Sequence, residues 1–562
     1  MKSIKIIITT VIILICFSCK KEKVKHGLIS KKAMIVSARI EASNIGKQIL
    51  EQGGNAFDAM MATDLALAVA YPYAGNLGGG GFMVYRLNDG SIGSLDYREK
   101  APLAATKDMY LDSSGNVIPN LSTRGAMAVG VPGTVAGVFE AHKKFGILPI
   151  ETIIKPVIDL AKRGVIVTKK QEIRMAEKQE EFILTNKDSI LFTKKWKQND
   201  TIRYINLAKT LTHIMENGSD EFYKGGSAKI LAKFIQNNGG VITEEDLSNY
   251  KPKWRTPITF NYDDLRIISM SPPSSGGIAM AQVLKSVEDF DLDKFGHNSL
   301  KTIQVIAEAE RRAYADRSYY LGDPEFVTIP QNKLISDEYL KNRMSSFSFK
   351  KATPSKDISH GTIGIVESDE TTHYSIVDQF GNAISVTTTL NSGYGSKLYC
   401  EELGFFLNNE MDDFSSKPGV PNVYGLIGAK ANSILPEKRM LSSMTPTIVE
   451  KNGKLLMSVG TPGGSTIITS VLQTILNVHE FNMTMQEAVD APRFHHQWLP
   501  DEIRMEPNRF SKETIKLLKQ KGYIINEERS PVIGIVDGVL VLQNGQLEGG
   551  ADSRGDDAAA GF

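Results

Sequence analysis

The chain has no excess of charge of either sign. Its 65 lysine and arginine residues balance 64 aspartate and glutamate residues, so the formal net charge is +1. Nucleic-acid-binding domains carry clustered lysine and arginine, and this balance therefore gives no electrostatic reason to expect DNA or RNA as a partner. A content of 41% hydrophobic and 23% charged residues is typical of a globular protein.

Long hydrophobic runs are also absent, apart from one at the N-terminus. Residues 6–17 are apolar and follow two lysines, and they are fewer than the roughly 20 residues that a membrane-spanning helix needs. This pattern is typical of a secretory signal. Because Ser18 is small and precedes Cys19, the pattern resembles a bacterial lipoprotein signal, with residues 1–18 removed and Cys19 lipidated. An ordinary cleaved signal with incidental cysteines is the alternative.

Cysteine is scarce, with three residues in 562. Cys16 is lost with the signal, and lipidation of Cys19 leaves Cys400 without an intramolecular partner. An exported protein without a disulfide depends on its hydrophobic core for stability, and this chain is long enough to form one. We expect a periplasmic or cell-surface lipoprotein, held to the membrane only by its lipid, with residues 19–32 as a lysine-rich tether.

Hydrophobic periodicity and turn residues predict the first elements. Residues 34–38 favour a strand, and Asn55 is a candidate N-cap for a helix over residues 56–70. The tripeptide NDG at 88–90 predicts a hairpin. Four glycines at 78–81 lack the Lys-Ser/Thr pair of a phosphate-binding loop, so we interpret them as a closely packed turn.

The predicted secondary structure changes from helices to strands at residue 371. Residues 134–355 have mostly helical patterns, and residues 360–370 favour an exposed linker. Two strand patterns follow and flank the loop QFG at 379–381. A three-residue loop with glycine last suits a type I turn followed by a left-handed residue. That turn places Thr371 opposite Thr389, with Asn391 diagonal on the same face, and so gathers two hydroxyls and a carboxamide at one strand end.

The segment TTHYS at 371–375 resembles the site at which gamma-glutamyltransferases cut themselves. Six further segments resemble parts of the same family in the same order, and the resemblance extends from about Ala33 to Phe562. These segments are LDYRE (95–99), VPGT (131–134), NNEMDDF (408–414), LSSM (441–444), TPGG (461–464) and APRFHH (491–496). Each segment alone carries little weight, whereas the set is highly specific.

The resemblance implies an α/β fold, the four-layer αββα sandwich of the N-terminal-nucleophile hydrolases. It also implies a precursor that cuts itself between Glu370 and Thr371. The large fragment, residues 33–370, and the small fragment, residues 371–562, would then stay together as a heterodimer that forms one intertwined catalytic domain.

A free N-terminal threonine accounts for the implied chemistry. A threonine hydroxyl needs a base beside it, and an α-amino group with a pKa of about 7.7–8.0 is close to the working pH. Cleavage before Thr371 therefore gives one residue both the nucleophile and the base. The same hydroxyl would attack the Glu370 carbonyl during self-cleavage. Alternatively, Thr371 merely begins a strand, where threonine is common.

The resemblance also implies a gamma-glutamyl substrate, whose free end carries an α-carboxylate and an α-ammonium. An arginine fork and hydroxyl donors suit the first group, and carboxylate or amide oxygens suit the second. The residues implied to bind this end are Arg98, Ser442 and Ser443 for the carboxylate and Asp413, Glu410 and Asn391 for the ammonium.

The remaining implied roles concern the reacting carbonyl. Gly463 and Gly464 would form the oxyanion hole, because glycine lets backbone N–H groups approach the tetrahedral oxygen closely. Thr389 would orient Thr371, and Tyr424 would cover the site as a lid. Taken singly, all these residues have plainer interpretations, such as a surface ion pair, a helix cap or a turn.

No metal or cofactor is expected, because acyl transfer needs only a nucleophile, a base and an oxyanion hole. His495 and His496 are adjacent and lack the i, i+4 spacing of a helical metal site, and Cys400 has no partner motif.

The predicted reaction is transfer of a gamma-glutamyl group from glutathione or related amides, through an ester on Thr371, to water or to an amino acid or peptide. The first alternative is an acylase for glutaryl cephalosporins. Its substrates lack the α-amino group, so the presence of Asp413, Glu410 and Tyr424 argues against it. The second is an uncleaved surface lipoprotein that only binds ligands.

Overall fold

The computed structural model describes residues 24–359, 371–415, 430–528 and 531–562. The predicted signal (1–18), the lipidation residue Cys19, the linker with Glu370, and Tyr424 lie outside the described residues. Among the helices of those four ranges, none combines the length and the apolar character needed to cross a membrane.

The described chain contains both strands and helices, in runs of each. The strands are β1 (Leu28–Ser30), β2 (Met34–Ser37), β3 (Gly80–Arg86), β4 (Ile92–Tyr97), β5 (Val165–Ile166), β6 (Thr201–Ile202), β7 (Lys253–Arg255), β8 (Ile258–Tyr262), β9 (Leu265–Ser269), β10 (Thr371–Val377), β11 (Ala383–Thr389), β12 (Tyr399–Cys400), β13 (Phe405–Phe406), β14 (Thr447–Lys451), β15 (Lys454–Gly460), β16 (Phe494–His495), β17 (Ile503–Met505), β18 (Ile525–Asn526), β19 (Asp537–Val541), β20 (Leu547–Ala551) and β21 (Ala558–Gly561).

The helices are α1 (Ile40–Glu51), α2 (Ala56–Ala70), α3 (Thr134–Phe145), α4 (Ile150–Arg163), α5 (Lys169–Thr185), α6 (Ile205–Asn217), α7 (Ser219–Tyr223), α8 (Gly226–Asn237), α9 (Glu244–Ser248), α10 (Gly276–Val287), α11 (Leu292–Phe295), α12 (Leu300–Tyr320), α13 (Gln331–Leu334), α14 (Asp337–Met344), α15 (Thr466–His479), α16 (Met485–Asp490) and α17 (Lys512–Gln520).

Two seven-stranded antiparallel sheets form the centre of the molecule. The first sheet has the order β21-β2-β10-β11-β3-β4-β7, and the second has the order β1-β20-β19-β15-β14-β9-β8. The sheets contact each other through β10 and β11 against β15 and β19, while α1 and α2 cover the first sheet and α10, α15 and α16 cover the second. The predicted four-layer αββα architecture is therefore confirmed. Each sheet contains strands from both sides of position 370.

Strand β2 is apolar on both faces over residues 34–36. Met34 and Val36 belong to the core between the sheets, whereas Ile35 belongs to the core under the outer helices. Alternate residues of a strand point to opposite faces, so β2, which lies between two packed layers, buries hydrophobic side chains in both directions.

Helix α2 lies beneath the first sheet and is buried along all of its 15 residues. The Asn55 side chain accepts hydrogen bonds from the backbone N–H groups of Phe57 and Asp58, and the Asp58 carboxylate accepts one from the Asn55 N–H. This reciprocal cap confirms the predicted helix start.

The predicted strand register at residue 371 is also confirmed. Thr371 begins β10 and pairs with Thr389, the last residue of β11. The glycines at 78–81 are packed closely, as predicted, but they do not form a turn, because Gly80 and Gly81 belong to β3 and Gly78 pairs with Leu407. The Gly79 carbonyl accepts hydrogen bonds from the N–H groups of Gly133 and Thr134, at 2.7 and 3.0 Å. A Cβ atom at Gly79 would lie 2.0 Å from the Thr389 carbonyl oxygen.

Two predictions about local order hold only in part. The tether assigned to residues 19–32 is folded over its last part, because β1 pairs with β20 at the edge of the second sheet and the Gly27 N–H donates to Glu548 at 2.8 Å. Backbone pairing at a sheet edge does not depend on an apolar sequence, so composition misses it. Residues 134–355 are mostly helical, as predicted, and contain α3 to α14, but that assignment overlooked five short strands. Of these, β5 and β6 pair with each other, while β7, β8 and β9 complete the far edges of the two large sheets.

Candidate active site

One end of the two sheets collects nearly all the residues predicted to carry chemistry. At this end β4 leads into Arg98, β10 begins with Thr371, β15 leads into Gly463, and β14 is preceded by Ser443. They surround a cavity of about 20 Å³, which is room for a single water molecule. We call it the glutamyl cavity, and nine predicted residues line it: Arg98, Thr371, Thr389, Asn391, Glu410, Asp413, Ser442, Ser443 and Gly464.

Thr371 sits at the wall of the glutamyl cavity with 5% of its surface exposed. In the uncut chain its nitrogen belongs to the peptide bond with Glu370, so no α-amino base exists before cleavage. Thr389 lies directly opposite, and its hydroxyl oxygen accepts a hydrogen bond of 2.7 Å from the Asn391 N–H. Asn391 has a φ of 72°, a left-handed conformation that asparagine tolerates better than most residues.

Arg98 is buried and surrounded by three carboxylates. Its guanidinium lies 2.6 Å from Glu410 and 3.5 Å from Glu99, and it donates a hydrogen bond to Asp413. Burial lowers the pKa of Arg98, but Glu410, Asp413 and Glu99 outweigh that effect and raise it. The arginine predicted to bind a substrate carboxylate is thus paired with the acid predicted to bind the substrate ammonium.

The three carboxylates cannot all be ionised cheaply beside one guanidinium. Burial raises the pKa of Glu410 and of Glu99, and Arg98 only partly opposes the shift. A carboxyl group whose pKa is raised in this way holds its proton to higher pH. Glu99 lies in the matched segment LDYRE, yet sequence reasoning gave it no role.

The hydroxyl oxygens of Ser442 and Ser443 accept hydrogen bonds from groups that can only donate. Ser443 Oγ accepts from Arg317 Nη2 at 2.8 Å, and Ser442 Oγ accepts from the Met444 N–H at 3.2 Å. Neither hydroxyl hydrogen has an acceptor among the residues that the structure describes. A guanidinium and an amide N–H have no lone pair to offer, so both hydroxyl hydrogens are available to an anion in the cavity.

Arg317 positions Ser443 directly and Ser442 through Ser275. Besides Ser443, it donates through Nε to Ser275 Oγ at 2.8 Å, and Ser275 Oγ donates to the Ser442 carbonyl at 2.8 Å. Sequence reasoning missed Arg317 because charged residues in a helix usually face solvent. The available signal in the sequence was that six charges of α12, at 308, 310, 311, 312, 316 and 317, do not fall on one face of a helix. In the structure Glu308, Glu310, Arg311 and Arg317 are all buried.

Gly463 and Gly464 connect β15 to α15 and have φ angles of 135° and 53°. Those angles strain any residue with a Cβ atom, and a Cβ at Gly463 would lie 2.5 Å from Thr466 Oγ1. The Thr466 hydroxyl donates to the Gly463 carbonyl at 2.7 Å and fixes the orientation of that peptide. Gly464 lines the glutamyl cavity, whereas Gly463 lines a neighbouring one.

His495, His496 and Cys400, to which the sequence analysis gave no metal-binding or nucleophilic role, lie outside the glutamyl cavity. His495 and His496 are buried, and burial lowers the pKa of His496 to about 4. Cys400 is buried in β12, where burial raises the pKa of its thiol to about 12. None of the three lines the glutamyl cavity.

Comparison with known proteins shows which family and which relatives this chain is similar to. A sequence model of the family described as gamma-glutamyltranspeptidase matches residues 42–562. The glutathione hydrolase proenzyme of Escherichia coli (strain K12) is 46% identical over 547 residues, covering 96% of this chain and 94% of the relative.

Two solved structures are similar as well. The cephalosporin acylase from Bacillus halodurans has a TM-score of 0.85 at 24% identity, covering 96% of this chain and 97% of that chain, which supports the fold alone. The gamma-glutamyltranspeptidase of Helicobacter pylori has a TM-score of 0.56 at 43% identity, covering 60% of this chain and 96% of that chain.

Proposed function

Because the chain belongs to the gamma-glutamyltranspeptidase family, we propose that Thr371 is the nucleophile of an autoprocessing gamma-glutamyl transferase and glutathione hydrolase. The observation that carries the proposal is the glutamyl cavity, where Thr371 faces Thr389 beside the Arg98–Asp413 ion pair and Gly464. A nucleophile, an oxyanion site and a zwitterion-binding pair meet there in one enclosed space.

Self-cleavage comes first. The Thr371 hydroxyl oxygen attacks the Glu370 carbonyl carbon, the peptide nitrogen takes a proton and leaves, and the resulting ester is hydrolysed by water. The products are the Glu370 carboxylate and a free α-amino group on Thr371. Fragments 33–370 and 371–562 would remain together, because separating them would break both sheets. The similar gamma-glutamyltranspeptidase chain of Helicobacter pylori covers 60% of this chain. Residues 33–370, the proposed large fragment, are 338 of the 562 residues and make up the same share.

The mature enzyme uses the α-amino group as its base. It takes the hydroxyl proton of Thr371 as the oxygen attacks the gamma-carbonyl, and it returns that proton to the departing amine. Backbone N–H groups at Gly463 and Gly464 stabilise the oxyanion, a contribution worth about 2.7–4 kcal/mol per donor in comparable sites. The ester on Thr371 is then attacked by water or by the amine of an amino acid or peptide.

When the substrate binds, two ion pairs replace the ion pair between Arg98 and Asp413. The α-carboxylate replaces Asp413 at the Arg98 guanidinium and receives the hydroxyl hydrogens of Ser442 and Ser443. The α-ammonium takes Asp413 as its partner, with Glu410 and Asn391 beside it. A zwitterion satisfies both freed charges, whereas a ligand with only one charge leaves the other unpaired in a buried site.

This charge requirement separates the proposal from the glutaryl-cephalosporin acylase. A glutaryl group has no ammonium, so it would leave Asp413 and Glu410 without a cation beyond Arg98. We expect gamma-glutamyl p-nitroanilide to be cleaved much faster than glutaryl p-nitroanilide. Tyr424, proposed as the lid, would further enclose the bound group.

We propose that residues 1–18 are a lipoprotein signal and that Cys19 carries the lipid. The folded part begins by Lys25, whose backbone N–H donates to Glu487 at 3.0 Å, which leaves about five residues of tether, or roughly 18 Å when fully extended. The enzyme would therefore sit close to the membrane surface. Cys19→Ala should release active enzyme from the membrane fraction, and activity that stays membrane-bound in this variant would refute the anchor.

Denaturing electrophoresis with mass spectrometry tests the autoprocessing. The purified wild-type protein should give two fragments that meet at Glu370 and Thr371, and Thr371→Ala should give one uncut chain. A folded wild-type chain that stays whole and releases no p-nitroaniline from gamma-glutamyl p-nitroanilide would favour the binding lipoprotein instead.

A further inference from the structure

The loop between β15 and α15, residues 461–465, contains two buried backbone donors, and we call it the oxyanion loop. Gly463 and Gly464 are buried, and in the part of the chain that the structure describes neither of their N–H groups donates to a protein acceptor. Most buried N–H groups in native proteins have such a partner. Two neighbouring donors just before the first turn of a helix suit an oxygen that gains negative charge, because the helix dipole also favours it.

Each of these N–H groups belongs to a peptide unit whose carbonyl is bound by a threonine hydroxyl. The Gly463 N–H shares its unit with the Pro462 carbonyl, which accepts a hydrogen bond of 2.7 Å from Thr461 Oγ1. The Gly464 N–H shares its unit with the Gly463 carbonyl, which accepts one of 2.7 Å from Thr466 Oγ1. The C=O and N–H bonds of a planar trans peptide point in opposite directions. Each hydroxyl therefore fixes the direction of the donor on the other side of its unit.

The surroundings of Thr461 determine where its hydroxyl hydrogen points. Its oxygen accepts a hydrogen bond of 2.7 Å from the Ile535 N–H, which can only donate, so the hydroxyl hydrogen is left for the carbonyl of the next residue. Residues 533 and 534 are held in turn by Arg493, whose buried guanidinium donates to both of their backbone carbonyls. Arg493 belongs to the segment APRFHH, which contributes no residue to the glutamyl cavity. This segment therefore supports the oxyanion loop through the residues next to Thr461.

Thr466 contacts the Gly463 carbonyl twice. Its backbone N–H donates to that oxygen at 3.0 Å, as any residue of a first helical turn can, and its hydroxyl adds a second hydrogen bond that needs this side chain. Both threonines are buried, so water does not compete for their hydroxyl groups. A carbonyl that accepts hydrogen bonds also polarises the N–H of its own unit and makes it a stronger donor.

Resting on the proposed function, we propose that Thr461 and Thr466 are positioning residues for the oxyanion site. Neither lines the glutamyl cavity. Each hydroxyl aims and polarises one backbone donor toward the oxygen of the tetrahedral intermediate. Loss of a hydroxyl should therefore slow the step that forms this intermediate and leave the binding of the zwitterionic end at Arg98 largely unchanged.

Single-turnover kinetics of valine variants test the proposal. Thr461→Val and Thr466→Val keep the shape of the side chain and remove the hydroxyl. Cut enzyme is in excess over gamma-glutamyl p-nitroanilide, so the saturating rate constant for p-nitroaniline release does not depend on the fraction of cut enzyme. We expect each variant to lower that rate constant about tenfold, a part of the roughly hundred- to thousandfold cost of losing one oxyanion donor. The concentration of cut enzyme at half-saturation should change little.

Thr461→Ser and Thr466→Ser should recover most of the rate, because serine retains the hydroxyl. Thr474→Val is the matched control, since Thr474 is buried on α15 and its hydroxyl donates to the Ser470 carbonyl at 2.9 Å, outside the oxyanion loop. It should keep the wild-type rate constant. Where a valine variant stays uncut, Thr461→Ala and Thr466→Ala repeat the measurement with a side chain that adds no atom.

Two kinds of result would overturn the assignment of these threonines. The first is a rate constant close to that of wild type in both hydroxyl-free variants. The second is a loss that serine does not restore or that Thr474→Val shares, because either would show a general effect on stability. A wild type that releases no p-nitroaniline at all would instead overturn the proposed function.

Discussion

Replacing Arg317 by methionine tests whether the serine hydroxyls are aimed by a side chain that never touches the substrate. Methionine keeps much of the apolar stem and removes the donors to Ser443 Oγ and Ser275 Oγ, both at 2.8 Å. Without the Arg317 donor, the Ser443 hydroxyl can rotate and turn its hydrogen away from the glutamyl cavity. The carboxylate of the substrate then loses an oriented donor.

The magnitude follows from the bonds involved. A hydrogen bond to a charged group contributes about 1.5–3 kcal/mol, and we expect roughly half of one such bond to be lost on the substrate. Half of that range is about 0.75–1.5 kcal/mol, which corresponds to a rise in KM of about three- to tenfold for gamma-glutamyl p-nitroanilide, since about 1.4 kcal/mol is a factor of ten. The kcat value should change less, because Arg317 does not line the cavity that holds Thr371.

The assay compares two donors that differ only in the α-carboxylate. 4-Aminobutyryl p-nitroanilide keeps the ammonium and lacks the carboxylate that Ser442 and Ser443 would bind. The Arg317→Met variant should lose efficiency toward the gamma-glutamyl donor and keep its efficiency toward the aminobutyryl donor. Arg317→Lys should restore part of the loss, because a lysine can still donate to Ser443.

Arg312→Met provides the control, since Arg312 lies on the same helix, is equally buried and pairs with Glu308 away from the cavity. It should lower the thermal midpoint without altering the preference between the two donors. An equal loss toward both donors in Arg317→Met would mean that Arg317 acts only on stability, and the reasoning would be refuted.

Three further predictions concern the backbone around the nucleophile and a buried acid. Gly464→Ala should lower kcat at least a hundredfold, because φ of 53° strains alanine and displaces an oxyanion donor; kinetics within tenfold of wild type would contradict this role. Gly79→Ala should impair self-cleavage on a denaturing gel, because its Cβ would lie 2.0 Å from the Thr389 carbonyl, whereas Gly226→Ala, with its nearest contact at 3.3 Å, should cleave normally. Burial raises the pKa of Asp64 to about 7, although a hydrogen bond from Tyr374 opposes the shift. The unfolded chain releases this proton near pH 3.9, so between about pH 4 and 7 the folded state holds a proton that the unfolded state has lost, and stability falls as pH rises. Asp64→Asn should therefore gain thermal midpoint relative to wild type across that window, with no further gain above pH 7, and a constant difference from pH 4 to 7 would count against the shift.

Local sequence rules predicted the parts of the site that lie close together in the chain. The pairing of Thr371 with Thr389 follows from a three-residue loop, because loop length and turn type determine the register of a hairpin. The cap at Asn55 likewise depends only on residues within one helical turn. In both cases the deciding contacts are local, so a single sequence contains the information.

Contacts between distant segments could not be derived in this way. Arg98 and Asp413 are 315 positions apart, and their pairing depends on how β4 and the turn after β13 meet at one end of the sheets. The resemblance to a family predicted that both residues belong to the site, but it did not predict that they bind each other. Arg317 was overlooked because a charged residue in a helix usually faces solvent, and its partner Ser443, 126 positions away, could not be derived from local sequence.

The edge strand β1 shows a second reason why part of the fold could not be predicted from the sequence. Its backbone pairs with β20 and needs no apolar pattern, so the lysine-rich composition around it suggested a tether. Hydrogen bonding at a sheet edge is largely independent of side chains.

The most direct test of the central claim is to identify the residue that carries the acyl group. Cut enzyme is mixed with gamma-glutamyl p-nitroanilide, quenched in acid within the first turnover, and digested for peptide mapping by mass spectrometry. The account predicts a gamma-glutamyl adduct on the N-terminal peptide of the small fragment, at Thr371, and none in a Gly464→Ala control quenched at the same time. An adduct on another residue, or rapid release of p-nitroaniline with Thr371 still inside an uncut chain, would contradict it.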